Sequence, residues 1–483
     1  MDHDTDSMPT RDFRLGEWLV QPTLNRLSND ERVVQIEPKL MDVLVFLASN
    51  AGQVVSKNDI TDAVWPEVFI TESVITRSIA GLRRAFADDV KSPRYIETIS
   101  KRGYRLIADV AYENQRVARS ERSQTSGITR NTGEAPLPYV IGQWVRGERF
   151  YGRTAALHEV LAGNRNWLWL LGTRRVGKTS ILKQLELIAS TSPDSGFVPV
   201  FWDLQGADRP EEFHLDFADA LLDAEEYLER AGIPLAEIQS EDCFDSLARL
   251  RRALRAKNLR LLLLCDEVEE LINLNRQDPS LLRKLRRALQ SREGIRSVLA
   301  SSSRLWSLAD AGEDTSPFLD GFTPPLTIGP LSAADTRALI LQSQLPASAR
   351  PSISDDDVDR IQELCGGHPY LIQMLCRQLL DRGDLDDAVD HVLDDRAVSF
   401  FFAVDFELIS DAERDVLIRL ADRTAEPSKS VGGDPQDLPI EIRTSRANLL
   451  DLGLVRRDST GRYFVGNEFL QRWLADRPDS IRA

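Results

Sequence analysis

GTRRVGKTS, residues 172–180, directly follows the apolar run Trp167–Leu171 and matches the phosphate-binding pattern GxxxxGK[ST] in the strand–loop–helix setting that pattern requires. The backbone N–H groups of such a loop can wrap phosphate only where no side chain blocks approach. The loop therefore makes Gly172, Thr173, Arg174, Arg175, Val176, Gly177, Lys178, Thr179 and Ser180 the expected nucleotide-binding residues. Lys178 adds a point charge toward the β and γ phosphates, and the Thr179 hydroxyl suits Mg²⁺. The expected ligands are ATP or ADP with Mg²⁺.

The second half of an ATPase site is an apolar strand ending in acid, and LRLLLLCDEVEEL, Leu259–Leu271, supplies it. Asp266 is the expected holder of the Mg²⁺ shell, and Glu267 the carboxylate that orients or deprotonates the attacking water. A buried strand running into an acidic helix start reads the same way in isolation, so the pairing with the loop decides. A third apolar stretch, Ile295–Ala300, ends in Ser301–Ser303 and places Ser302 as a polar sensor. GGHPYLIQ, Gly366–Gln373, sets a Gly-Gly turn and Pro369 before an apolar helix, with His368 as a helix-start residue.

Taken together, residues 138–395 resemble the AAA+/STAND-type ATPases of the ASCE P-loop class. PYVIG (Pro138–Gly142) with FYGR (Phe150–Arg153) resembles their adenine-side motif, GTRRVGKTS their Walker A, and CDEVEEL their Walker B. SPFLDGF followed by LTIGPLS resembles the post-sensor loop and fifth strand, and GGHPYLIQ the GxP sensor 2. The resemblance implies Tyr139, Val140 and Pro369 near the base and Glu267, Asp266 and Lys178 as the catalytic set. Where relatives often carry Gly-Arg, this chain has Asp320-Gly321-Phe322, which leaves the arginine finger open, with Arg304 a candidate.

The first hundred residues read differently. From Phe13, short β-type segments alternate with turns, and a helix from Pro38 carries Leu40, Val43, Leu44 and Leu47 on one face. A second helix spans Ser56–Val64. In a third, Thr71–Phe86, Ile75, Ile79, Leu82 and Phe86 fall on one side, with Ser73, Arg77, Ala80 and Arg84 opposite. A small, polar, basic face of this kind suits the major groove. Tyr95–Ile99 and Tyr104–Val110 flank Ser100-Lys101-Arg102-Gly103 as a hairpin with a basic tip.

Phe13–Val110 thus resembles the OmpR/PhoB-type winged helix-turn-helix domain, with TESVITRSIAGLRRAF as recognition helix and YIETISKRGYRLIADV as wing. The resemblance implies double-stranded DNA contacts from Ser73, Thr76, Arg77, Arg83 and Arg84 on the helix and Lys101, Arg102 and Tyr104 on the wing. Residues 71–105 hold eight Lys/Arg against four Asp/Glu, while the chain as a whole has net charge −16. A local positive island in an acidic protein fits site-directed DNA contact, whereas nonspecific coating wants a basic chain throughout.

The 483 residues suggest about three domains, and 42% hydrophobic with 28% charged residues is ordinary globular composition. No apolar run approaches the ~20 residues of a membrane helix, and the polar, acidic start has no signal-peptide character. Cys243, Cys265, Cys365 and Cys376 show no ligand spacing and read as core residues in a reducing cytoplasm. The five histidines form no metal pattern.

The expected architecture is multidomain: an α+β winged helix (1–111), a linker (112–137), a parallel-sheet α/β ATPase core (138–330), a helical lid (331–398) and a C-terminal winged helix (399–483). The last segment, with 12 basic and 15 acidic residues over 403–483, suits protein contact better than DNA. The functional expectation is a slow ATPase used as a switch in a DNA-binding, transcription-type regulator that forms a nucleotide-dependent homo-oligomer. The alternative is a DNA-acting ATPase machine in replication, transposition or phage defence, with the first domain as tether.

Overall fold

The computed structural model describes residues 13–22, 26–29, 32–36, 38–64, 72–86, 88, 93–99, 102–108, 110–112, 138–192, 195–207, 209–291, 294–308, 318–425 and 447–476. They form two compact units, residues 1–134 and 135–483.

In the first unit, strands β1 (Phe13–Leu15), β2 (Trp18–Gln21), β3 (Arg26–Ser28) and β4 (Val33–Gln35) make an antiparallel meander. Helix α1 (Pro38–Ser49) buries Met41, Val43, Leu44 and Leu47, and the short strand β5 (Val54–Val55) follows it. Helix α2 (Lys57–Val64) starts on a reciprocal cap, the Asp59 N–H donating to Ser56 Oγ and the Ser56 N–H to Asp59 Oδ2. Helix α3 (Glu72–Phe86) turns Ile75, Ile79, Leu82 and Phe86 into the core, as the spacing predicts.

The hairpin is shorter than expected. β6 (Ile96–Ile99) pairs with β7 (Gly103–Leu106), but the chain then leaves this sheet, and β8 (Val110–Tyr112) pairs with β1. Alternation in one strand and the next looks alike along the chain; only pairing separates them. Gly103 is required at the turn, since it has φ +126° and a Cβ there would lie 1.9 Å from the Val55 carbonyl oxygen.

The second unit is built on five parallel strands: β9 (Trp167–Leu171), β10 (Phe197–Asp203), β11 (Arg260–Asp266), β12 (Ile295–Ser301) and β13 (Leu326–Thr327), in the order β10-β11-β12-β9-β13. The strands read as near-continuous apolar runs because both faces are covered. Helix α4 (Thr154–Ala162) precedes β9 and α5 (Lys178–Thr191) follows it. Leu168 and Leu170 face Ile181, Leu182 and Leu185 on one side, while Trp169 and Leu171 face the larger core on the other.

Between β10 and β11 lie α6 (Pro210–Asp223), α7 (Glu225–Arg230), α8 (Leu235–Ile238) and α9 (Cys243–Ala256), with Trp202 packed on Phe213 and Phe217. Helices α10 (Leu271–Gln277) and α11 (Pro279–Leu289) separate β11 from β12.

After β13 the chain is helical: α12 (Ala333–Ile340), α13 (Asp355–Cys365), α14 (Pro369–Arg382) and α15 (Leu385–Asp394). Ser332, Ser354 and Asp384 cap three of them by accepting a backbone N–H three residues on, each such cap being worth about 1 kcal/mol. Asp355–Asp357 and Asp386–Asp387 lie in first helical turns, where negative charge meets the positive end of the helix dipole.

Helix α16 (Arg396–Glu407), capped by Asp395, runs across the expected boundary at 398/399. It leads into α17 (Asp411–Ala425), a short helix over residues 447–451 (α18), the hairpin β14 (Val455–Arg457) with β15 (Tyr463–Val465), and α19 (Glu468–Ala475). Residues 426–439 and most of the expected linker lie outside the described residues. Core, lid and C-terminal segment are not three separately packed bodies. One continuous hydrophobic cluster runs from Tyr139 through Leu371 and Phe402 to Leu474.

Candidate functional site

In the sheet order, β12 lies between β9 and β11, so three strand ends meet at one edge. β9 delivers the loop Gly172–Gly177, β11 delivers Asp266 and Glu267, and β12 delivers Ser301 and Ser302. Within the loop, Gly177 has φ +100°, which a residue with a Cβ rarely adopts, and Arg175 also takes a positive φ of 57°. The Lys178 ammonium donates to the carbonyls of Gly172 (3.1 Å) and Thr173 (2.9 Å), crossing the loop mouth. The Thr179 hydroxyl stands close enough to the Asp266 carboxylate to favour its charged form. The two expected Mg²⁺ residues thus stand side by side.

Carboxylates crowd this end of the sheet. Asp203, at the end of β10, stands in register beside Asp266. Burial and then the charge of Asp203 hold the Asp266 carboxyl above the ordinary range; burial and then Asp266 do the same for Glu267. Glu267 has φ 49°, a strained setting for a non-glycine residue that turns the chain sharply out of the strand. The backbone N–H of Ser302 donates to Glu269 Oε1 at 2.9 Å, and its buried Oγ lacks a hydrogen-bond partner. Ser301 instead accepts the Trp169 indole N–H at 2.8 Å.

Like charges buried together need a cation, and an orphaned hydroxyl beside them needs an acceptor or donor. The residues present therefore fit a magnesium nucleotide, with Thr179 and Asp266 as the metal side and Lys178 as the phosphate side.

On the expected base side, the Tyr139 hydroxyl donates to the Ile340 carbonyl and the Val140 N–H to Gln373 Oε1 at 3.0 Å. These two residues strap the incoming chain to α12 and α14. Pro369 is the first residue of α14. The ring nitrogens of His368 have no solvent exposure, and burial, then the charge of Arg153, pushes its pKa down to about 3. The Arg175 guanidinium lies 4.3 Å from the Tyr370 ring centre. From α16, Asp405 Oδ1 accepts the Arg174 N–H of the loop Gly172–Gly177 at 3.1 Å.

Sequence reasoning missed Asp203, Glu269 and Asp405. Asp203 carried the signal already used for Asp266, an apolar run ending in acid, FVPVFWD. For Asp405 the signal was one acid inside the apolar stretch FFFAVDF. The four cysteines are unpaired and buried, as expected. Contrary to the histidine reading, His214, Asp242 and Cys243 come together. Two of the three side chains start α9: His214 Nδ1 accepts the Cys243 backbone N–H (3.1 Å), and Asp242 accepts from the backbone N–H groups of Phe244 and Asp245.

On the first unit, Arg84 is exposed on α3, Thr76 is partly exposed, and Arg102 is exposed in the hairpin. Ser73 and Arg77 fall on α3 by position, and Lys101 lies outside the described residues. Two expected DNA contacts are corrected. Arg83 is 8% exposed and donates to the Ile96 carbonyl (3.0 Å) and Thr98 Oγ1 (2.7 Å), tying the helix to the hairpin. Tyr104 is buried, its hydroxyl 3.3 Å from Thr76 Oγ1. Arg83 lies next to Arg84, which does face solvent; a 100° step per residue is enough to turn Arg83 inward and leave Arg84 outside. Arg105 pairs with Glu97 at 2.5 Å, and Arg94 with Glu17 at 3.3 Å.

The family model described as "Transcriptional regulatory protein, C terminal" matches residues 30–106. The transcriptional activator CadC of Escherichia coli is 43% identical over 103 residues, which is 21% of this chain and 20% of CadC. The chain therefore matches about a fifth of that relative's length. Among solved structures, the DNA-binding domain of E. coli CadC is 42% identical, covering 21% of this chain and 96% of that one, with TM-score 0.20. A Walker-type ATPase of Pyrococcus abyssi is 16% identical, covering 69% of this chain and 98% of that one, with TM-score 0.48. Residues 30–106 of the first unit thus match a domain found in transcriptional regulatory proteins, and the second unit is an α/β domain on a five-stranded parallel sheet. Among the described residues, no helix is long and apolar enough to cross a membrane.

Proposed function

We propose that this protein is a nucleotide-controlled DNA-binding regulator, in which a slow ATPase site in the second unit sets the assembly or DNA engagement of the first. One observation carries the reading: Lys178, Thr179, Asp266, Glu267 and Ser302 come from three separate strand ends to one edge of the sheet, in a chain that also bears a transcriptional-regulator domain.

When bound, a magnesium nucleotide supplies the phosphoanhydride to be cleaved and the cation that balances the buried carboxylates. Thr179 and Asp266 would hold the cation, and the Lys178 ammonium, now on the Gly172 and Thr173 carbonyls, would supply positive charge to phosphate oxygens. Glu267 orients the water and accepts its proton. Ser302 supplies the neutral hydroxyl expected of a γ-phosphate sensor. On the DNA side, Arg84 and Thr76 on α3 and Arg102 in the hairpin are the contacts this reading favours, with α3 in the major groove.

The segment from α16 to α19 is read as a second winged helix, its hairpin β14–β15 following α18 as a wing follows its helix. Its acidic balance suits packing or a protein partner. Nucleotide-dependent self-association places several first units on adjacent half-sites, which raises affinity through effective concentration.

The test is to map genomic sites bound by the full-length protein with ATP, with ADP and without nucleotide, alongside calorimetry of Mg·ATP binding. A few repeated operator-like sites whose occupancy follows the nucleotide are expected. DNA-stimulated turnover without site preference would favour the DNA-acting machine, and absence of nucleotide binding would remove the proposal.

A further inference from the structure

Asp405 sits where an anion belongs. Its Oδ1 accepts the N–H of Arg174, inside the loop whose amides are built to hold phosphate. It lies close enough to Lys178 and Arg174 to feel both charges. Its second oxygen, Oδ2, is buried with no hydrogen-bond partner. The space enclosed by Gly172, Thr173, Ser302, Ser303, Asp405 and Leu408 is about 10 Å³, room for about one water and too little for a phosphoryl group.

This carboxylate is held there by the packing of its helix. Phe401, Phe402 and Phe406 of α16 are buried, Phe401 lies 5.2 Å from the His368 ring and 5.7 Å from the Tyr370 ring, and the Ser303 hydroxyl donates to the Leu408 carbonyl at 3.0 Å. The contact therefore joins the C-terminal segment to both the loop strand and the sensor strand. Burial raises the Asp405 carboxyl to about 6, so at neutral pH the group is largely ionised despite an unfavourable site.

Resting on the nucleotide reading above, we propose that Asp405 is a specificity-determining residue that stands in for the γ-phosphate and makes this conformation select nucleoside diphosphate over triphosphate. A diphosphate ends before the space that Asp405 fills. A triphosphate brings a second anion to the same Arg174 N–H and Lys178 charge, and one of the two must leave. ATP binding and retention of the α16 contact are then mutually exclusive, and the nucleotide's terminal phosphate is read by whether it displaces Asp405.

The experiment compares Mg·ADP with the nonhydrolysable triphosphate Mg·AMPPNP on the full-length protein and on Asp405→Asn. The amide keeps the shape and an oxygen for the Arg174 N–H but removes the charge. Wild type should prefer ADP at least tenfold, and the variant should bind AMPPNP at least tenfold more tightly with ADP affinity changed less than twofold. Hydrogen exchange on wild type gives a second reading that needs no variant: amides of residues 396–407 should exchange faster with AMPPNP than with ADP. Equal effects on the two nucleotides, or α16 exchange that is the same with both, overturns the role of Asp405 and leaves the nucleotide site standing. Wild type that binds neither nucleotide overturns the site and this inference together.

Discussion

The two units treat their charges in opposite ways. In the first, the cations proposed to meet DNA stay in water: Arg84 and Arg102 are exposed, and the one buried arginine among its described residues, Arg83, holds helix to hairpin. In the second, anions lie inside: Asp266 and Asp405 are each 4% exposed, with Asp203 and Glu267 beside Asp266 and Glu269 beside Glu267. Exposed charges act over a long range, are screened by salt and cost little to hold. Buried ones act over a few ångströms and hold stored desolvation energy that a ligand can release. Substitutions should therefore have large, local, ligand-specific effects in the second unit and smaller, salt-dependent effects in the first.

The largest expected effect is at Glu267. Glu267→Gln preserves shape but cannot accept the water's proton, so ATP turnover should fall by about 10²–10⁴ while ATP binding persists. Single-turnover phosphate release with parallel calorimetry checks this, and unchanged turnover would remove Glu267 from the chemistry. Next, Lys178→Ala deletes a charge-assisted contact worth about 1.5–3 kcal/mol, so nucleotide affinity should drop by at least tenfold. Equal affinity by titration calorimetry would break the site assignment.

A third contrast concerns pH. His368 is held neutral in the fold down to about pH 3, while in the unfolded chain it protonates near its ordinary 6.5. The unfolded state then binds the extra proton, and the stability tied to neutral His368 is lost as pH falls below 6.5. His368→Gln carries no such proton, so the wild-type advantage over it should shrink by about 2–3 kcal/mol between pH 7.5 and 4.5 in denaturant titrations. A parallel pair of pH curves would place His368 in a solvated setting.

In the first unit the neighbouring arginines make the sharpest pair. Arg83→Ala should lower the stability of residues 1–112 by about 1–3 kcal/mol, because it leaves the Ile96 carbonyl and Thr98 hydroxyl without their partner. Arg84→Ala should leave stability within about 0.5 kcal/mol yet weaken binding to a selected DNA site by about 1–3 kcal/mol. Melting curves and band shifts on selected and scrambled DNA separate the two, and reversal of the pattern would overturn the orientation of α3. The smallest effect is at Arg102: its replacement by Ala should weaken all DNA sequences alike and reduce the salt slope by about 1.

These contrasts also sort what could be read along the chain. Gly172–Ser180 was legible because phosphate is bound by consecutive backbone amides, a local geometry that needs particular residues at fixed spacing. Asp266–Glu267 and the core face of α3 were legible for the same local reason. The orientation of Arg83 was not, because burial on the edge of a helix stripe depends on where the hairpin lands. The split of Tyr104–Val110 between two sheets was not either, since alternation does not name a strand's partner.

The sequence alone determined the glycine-bearing loop between strand and helix, the strand that ends in Asp266, the basic helix and the order of the segments, each set by short-range periodicity or spacing. Only the tertiary structure decided that β12 lies between β9 and β11, that Asp203 and Glu269 crowd the same end of the sheet, and that Asp405, 231 positions from Arg174, reaches the loop amide. The physical reason is separation along the chain. A loop of backbone amides or a helix face is specified by residues that are neighbours in sequence, whereas a charge buried against a distant loop is specified by the packing of the apolar side chains that carry it there.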